Sequence, residues 1–309
     1  MLDLFGQIYI LDLGTALGAY VTQYRRTYFA PTGYGGYTWV PQVGAEEKIY
    51  QRIAPLVLRM AEDDYLKLPP MIETVVKVKL PKAARVKYDQ LEALFFLELD
   101  SGSVTAVNAG VKSTKLRQVA NGGIYLDKGD EAADSVQLPN AVRRWELIHE
   151  AKSEAVAEIL DELSGKPALI ATDFRHDVER LRRHRDLRNL PHLGMGNKPA
   201  EDRELIAAWN RSGRPGLFVN AQSVAHGLNL QRTGRAVIFH SLTWNYEHYY
   251  QLLKRIRRQG QRFKTFLYLV AAADTVDEAL LLALGRKAAT EKALLAALRA
   301  YAFTRPRRG

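Results

Sequence analysis

Four short, unbroken apolar runs in the second half of the chain do most to constrain its fold: residues 168–171, 216–219, 236–239 and 266–270. A strand that is apolar throughout has no face to offer water, so it is buried on both sides. Segments of helical periodicity separate most of these runs. Short apolar strands alternating with helices define a parallel sheet covered on both faces. Around it, residues 141–163 read as an amphipathic helix, with Ile148, Ala151, Ala155, Ile159 and Leu163 on one stripe and Gly165-Lys166-Pro167 as its stop. Thr275-Val276-Asp277-Glu278 reads as a capping box opening a last helix that reaches about Leu298.

The first half has a different character. Ile8, Leu11, Leu17 and Val21 stand at helical spacings over residues 5–28, with Gly14 and Gly18 predicting an interruption. A loop rich in Gly, Tyr and Pro is expected over 31–44, a helix over 45–60, a strand over 71–80 and a helix over 82–99. Residues 101–137 are rich in Gly, Ser, Asn and Asp and read as a linker. The expected division is a mainly helical region with a short strand over 1–100, the linker over 101–137 and an α/β domain over 138–309.

Charge narrows the partners. The chain of 309 residues carries a formal net charge of +10, which suits a polyanion, because clustered Lys and Arg gain by releasing the counterions around phosphates. Nucleic acid is the first candidate and an acidic membrane surface the second. No apolar run nears the roughly 18–20 residues needed to cross a bilayer, and the opening MLDLFGQIYILDLG carries acids where a signal peptide carries bases. A cytoplasmic protein is expected, without a membrane. The absence of cysteine excludes disulfides and thiol chemistry, and the seven His show no ligand-like spacing, so no protein-held metal is expected.

Chemistry concentrates in residues 220–261, NAQSVAHGLNLQRTGRAVIFHSLTWNYEHYYQLLKRIRRQGQ. Arg255 and Arg258 are three apart on a predicted helix, so their guanidinium groups are expected on one face, able to converge on one anion. The bland alternative is a solvated basic helix end. Gly227 could do no more than supply an unusual backbone angle in a turn, and Trp244 is either core or a base-stacking platform.

Together the Gly227-Leu228-Asn229-Leu230 turn, the strand 236–239, Trp244-Asn245, and Gln251, Arg255, Arg258, Gly260 and Gln261 resemble, in order and spacing, the second RecA-like lobe of Swi/Snf-type superfamily-two helicases. Residues 168–177 are similar to that lobe's first strand and following turn, 204–212 to a later helix with a packing Trp209, Lys115-Leu116-Arg117-Gln118-Val119 to the segment joining the lobes, and Leu68-Pro69-Pro70-Met71-Ile72 to the stretch before it. The likeness covers almost the whole chain and is nearest to bacteriophage versions, which would place it in a bacterial host cytoplasm. It implies an ATP-dependent DNA helicase or translocase in which Arg255 and Arg258 are arginine fingers stabilising charge on the transferred phosphoryl group. Gly227, Asn229, Gln251 and Gln261 would bind or couple the nucleotide, and Thr172, Arg175, Ser223, His226, Trp244 and Asn245 would meet DNA. For Thr172 and Arg175 a plain exposed loop is the alternative.

The family's Gly-x-x-x-x-Gly-Lys-Thr phosphate loop and Asp-Glu-x-His strand end occur nowhere in the sequence. The resemblance thus implies that ATP and Mg2+ are held mainly by a first lobe on another chain or removed from this one, and that this chain alone does not hydrolyse ATP. A non-catalytic DNA-binding or motor-docking module on the same fold is the other reading.

Overall fold

The computed structural model describes residues 1–32, 38–58, 68–101, 110, 113–126, 144–194, 196–222, 228–287 and 291–304. It divides into two units, Met1–Lys67 and Leu68–Gly309. The first holds helices α1 (Leu4–Asp12), α2 (Val21–Tyr28) and α3 (Ala45–Ile53) with strands β1 (Phe29–Thr32) and β2 (Thr38–Pro41). The predicted interruption at Gly14 is present. The Asp12 carboxylate accepts from the N–H groups of Gly14 (2.9 Å) and Ala16 (2.7 Å), and Leu13 turns left-handed to end α1. Where a loop was expected over 31–44, β1 and β2 pair antiparallel, Phe29 opposite Pro41. Tyr24, Tyr28, Phe29 and Ile49 form this unit's core.

In the second unit the four apolar runs become β6 (Ala168–Ala171), β8 (Gly216–Val219), β9 (Ala236–Phe239) and β10 (Thr265–Ala272). With β3 (Met71–Val78) and the short β7 (His192–Leu193) they make one parallel sheet in the order β3-β10-β9-β6-β8-β7. Alternate residues serve opposite faces. Leu169, Ala171, Val237 and Phe239 enter one core cluster, and Ala168, Ile170, Ala236 and Ile238 the other. Both faces are dry because both are covered, as the unbroken apolar runs require.

Helices α4 (Lys82–Asp100), α5 (Thr114–Asn121), α8 (Pro199–Ser212), α9 (Tyr246–Ile256), α10 (Val276–Gly285) and α11 (Glu291–Thr304) supply the first cluster. The second is closed by α6 (Ala151–Glu162) and α7 (Arg175–Leu181). Trp209 of α8 packs at 1% exposure, its Nε1 donating to Leu230 O at 2.9 Å.

The expected boundaries need correction. β3 and α4, assigned from sequence to the N-terminal region, belong to the sheet unit, and β3 pairs with β10 along its whole length. Within the expected linker, α5 is a buried helix, followed by β4 (Gly123–Tyr125), which pairs with β5 (Trp145–Leu147). Of the helix predicted over 141–163, residues 141–143 lie outside the described residues, residues 144–150 are not helical, and the helix starts at Ala151. The N–H groups of Ile148 and His149 both go to Gly122 O (2.8 and 3.1 Å), and Gly122, at φ 111°, has no room for a Cβ against His149 O and Arg180. The last helix is two, α10 and α11, with Lys287 left-handed between them and Ala283 against Ala297 letting them pack closely.

Candidate nucleotide and nucleic-acid interface

Because every strand of the sheet runs the same way, residues that follow strands gather at one end and residues that precede them at the other. The sequence-predicted site residues fall into two groups on that basis. Asn229, Arg255, Arg258 and Gln261 lie toward the end where strands begin: Gln261 Nε2 donates to Gly234 O, two residues before β9, at 3.3 Å. Thr172, Arg175, Trp244 and Asn245 follow β6 and β9 and lie at the opposite end. Ser223, His226 and Gly227 are outside the described residues.

At the first end the two arginines do not share a helix face, and the reason is local. Gln261 Nε2 also donates to Ile256 O (3.1 Å) and Gln231 O (3.3 Å), taking the carbonyl that another helical turn would use. Arg257 leaves helical geometry at φ −90°, ψ 87°, and Gly260 turns the chain at φ 93°. Arg258 therefore sits beyond the helix end and is exposed. Arg255 is 8% exposed and serves as a brace, its Nη1 reaching Leu228 O (3.3 Å) and its Nη2 Gln251 Oε1 (3.0 Å). Burial first, then the charge of Arg258, lowers the Arg255 pKa. Gln251 is thereby a support for Arg255. Gln261 spends its amide oxygen on Phe263 N–H at 3.1 Å, so its side chain holds the turn and has little left for a nucleotide. Asn229 is exposed, with Oδ1 accepting from Gln231 N–H at 3.4 Å.

At the other end three of the proposed DNA contacts are structural. Thr172 is fully buried, because its backbone extends β6 by bonding Val219 O at 2.9 Å, which carries the hydroxyl inward. Asn245 caps α9, accepting from Glu247 N–H (2.9 Å) and His248 N–H (3.4 Å). Trp244 is half-buried against the main cluster, with Gly110 beside its Nε1. Arg175 stays exposed at the first turn of α7, 3.8 Å from Glu179. It opens onto a groove of about 810 Å³ that also receives Arg182, Arg211, Arg214, His192 and Asn197, with Glu179, Glu201 and Glu204 among the lining acids. Sequence reasoning missed these arginines because they come from three separate elements.

It also missed a buried ionic cluster behind this end. Asp177, fully buried, accepts from Ser241 Oγ (2.6 Å), Asn121 Nδ2 (3.1 Å), Arg180 Nη2 (3.1 Å) and its own helix entrance, Phe174 N–H (3.2 Å). Burial alone would raise its pKa, but His176, His240 and Arg180 outweigh it and hold the carboxyl well below the usual range. Lys152 pairs with Asp277 at 2.6 Å and donates to Asn121 Oδ1 at 2.9 Å. Arg117 pairs with Asp173 and donates to Leu242 O at 3.0 Å. The cluster ties α5, α6, α7, α10 and the loop after β9 into one piece. A sequence signal existed: Arg117, Gln118 and Asn121 interleave with Leu116, Val119 and Ala120 on a helix too apolar to be a linker.

A six-stranded parallel sheet covered by helices on both faces is the architecture of a RecA-like lobe. Residues 151–260 match the helicase conserved C-terminal domain. Protein p41 of Acyrthosiphon pisum secondary endosymbiont phage 1 is 31% identical over 307 residues, 97% of this chain and 62% of its own length. Nuclear protein STH1/NPS1 of Saccharomyces cerevisiae is 25% identical over 248 residues, 76% of this chain and 18% of that protein. Among solved structures, the Sulfolobus solfataricus SWI2/SNF2 ATPase core in complex with dsDNA superposes with a TM-score of 0.53 at 20% identity, over 98% of this chain and 62% of that one. The C-terminal part of the Fun30 ATPase domain gives 0.51 at 15%, over 76% of this chain and 97% of that one. Residues 151–260 thus carry a helicase C-terminal domain whose relatives include Swi/Snf-type ATPases, and the chain spans about three fifths of the phage relative it matches. No helix among the described residues is long and apolar enough to cross a membrane.

Proposed function

We propose that this lobe is the second half of an ATP-driven DNA translocase or helicase, completed by a phosphate-loop lobe that this sequence does not contain. The observation that carries the reading is Arg258: an exposed guanidinium on a turn fixed by Gln261 and Gly260. Such a group can approach a triphosphate held by a facing lobe and offset charge developing on the transferred phosphoryl group. Residues 228–235 and 255–264 hold cations and amides but no carboxylate. They fit the anionic end of a nucleotide and not Mg2+, whose ligands belong to the other lobe. Arg255 is assigned a positioning role, holding Leu228 O and Gln251 beside the turn.

Duplex DNA is the polyanion of this reading, met through phosphate contacts from Arg175 and from Arg211 and Arg214, which line the same groove. The similar Sulfolobus solfataricus ATPase core is in complex with dsDNA, and the net charge of +10 agrees. The alternative, a DNA-binding module without catalysis, draws on the internal use of Arg255 and Gln261. One experiment separates them: DNA-stimulated ATP hydrolysis by this chain mixed with a purified Swi/Snf-type phosphate-loop lobe. A rise above either part alone is expected, with Arg258→Ala lowering it by about a thousandfold while DNA binding persists. Strong hydrolysis by the chain alone, or no rise in the mixture, contradicts the motor reading.

A further inference from the structure

Strand β3 closes one side of the sheet. A parallel ladder uses only alternate residues of an edge strand. Thr265 N–H bonds Pro70 O and Ala273 N–H bonds Val78 O, with Thr265 opposite Met71 in register. Even-numbered residues of β3 therefore turn their N–H and C=O groups toward β10, and those of Met71, Glu73, Val75 and Lys77 point away from it. No other described residue of this unit bonds to these outward groups. Ile72 is 44% and Val75 43% exposed. An eight-residue edge left open in this way is a template for another strand, and parallel sheets are rarely left uncovered.

The strand is complementary to itself. Laid antiparallel on a second copy about a two-fold axis through Val75, its outward groups at Glu73, Val75 and Lys77 fall opposite one another, in the hydrogen-bonded pairing of antiparallel strands. Glu73 then meets the partner's Lys77, Ile72 meets the partner's Val78 and Thr74 the partner's Val76, so the charged pairs are opposite in sign and the remaining pairs set β-branched side chains together. An axis through Glu73 sets Glu73 on itself, and one through Lys77 sets Lys77 on itself. An axis through Thr74 sets Glu73 against valine. Lys77 lies 3.5 Å from Glu278, with 61% of its side chain exposed, a contact weak enough for a cross-strand pair to replace.

We propose that β3 is a dimerisation edge, joining two copies of this chain into one continuous sheet around Val75. Sedimentation velocity of the full chain across a concentration series tests it. A monomer–dimer equilibrium is expected for the natural sequence. Glu73→Lys and Lys77→Glu should each weaken it by about tenfold or more, since each creates two like-charge pairs. The double variant restores the opposite-charge pairs and should recover dimerisation. Val75→Pro removes an outward N–H without touching the ladder to β10; it should abolish the dimer while circular dichroism melting stays cooperative. A natural chain that stays monomeric at about 100 µM overturns the proposal and leaves the edge to a strand of another protein. A dimer indifferent to these four variants overturns it as well.

Discussion

His149 shows what burial does to a single titratable group in this lobe. It is 5% exposed, its Nε2 is 2.9 Å from Val119 O and its Nδ1 is 3.3 Å from Ala151 N–H, an arrangement that suits a neutral ring donating from Nε2 and accepting at Nδ1. Burial first, then Arg180, lowers its pKa to about 4. The unfolded ring takes up a proton near pH 6.5, so between there and pH 4 the unfolded state binds more protons and stability falls with pH. The loss approaches on the order of 3 kcal/mol. His192, also lowered to about 4, chiefly by burial, acts in the same direction. Asp177 adds its part lower still, since a depressed carboxylate gives up its stabilisation only as pH falls through its folded pKa. Urea midpoints measured from pH 7 to pH 4 should decline steadily, and His149→Gln should flatten that decline without abolishing it. A variant with the unaltered pH slope would remove His149 from this account. None of this was legible in the sequence, where His149 is one of seven scattered histidines and its neighbours Val119 and Arg180 are about thirty residues away.

At the scale of elements, pattern decided which segments would be helix or strand, and hydrogen bonds between distant segments decided where they would stop. The four apolar runs are strands because full burial is written in their composition. The pair Arg255 and Arg258 was misplaced because helical spacing says nothing of Gln261, whose side chain ends α9 at Ile256 from five residues further on. Likewise, Thr172 was mistaken for a surface residue because the sheet continues one residue past the apolar run of β6. If Gln261 sets this turn, Gln261→Ala should remove a donor from three carbonyls, of which Gly234 O keeps Arg235 Nη1, and cost about 1–3 kcal/mol in thermal or denaturant melts. It should also reduce composite ATP hydrolysis by releasing Arg258. Asn245→Ala, which removes only the cap at the opposite end of the same helix, should cost about 1 kcal/mol and spare the turn. Equal effects of the two substitutions on hydrolysis would show that Arg258 does not depend on the Gln261 staple.

The whole molecule is organised by a boundary that composition hid. The Gly-, Ser- and Asn-rich stretch over 101–137 reads as a linker, yet α5 within it is anchored on both sides by the buried cluster, and β3 and α4 before it belong to the same unit. The polar residues of α5 have structural partners: Arg117 and Asn121 meet Asp173 and Asp177, and Gln118 Oε1 accepts from Tyr125 N–H. A fragment of residues 138–309, the division expected from sequence, would lose Tyr88, Phe95, Leu99, Leu116 and Val119 from the main cluster. Burial worth about 2 kcal/mol for each such side chain rivals the entire stability of an ordinary domain, about 5–15 kcal/mol. Asp173 would also lose Arg117, and Asp177 and Lys152 would lose Asn121. A fragment of residues 68–309 keeps all of these partners. It should unfold in one cooperative transition by calorimetry, whereas the 138–309 fragment should show none and should expose the free side of β10. A cooperative 138–309 fragment would mean that α5 decorates the lobe without helping to build it, and that the cluster around Asp177 can be satisfied by water.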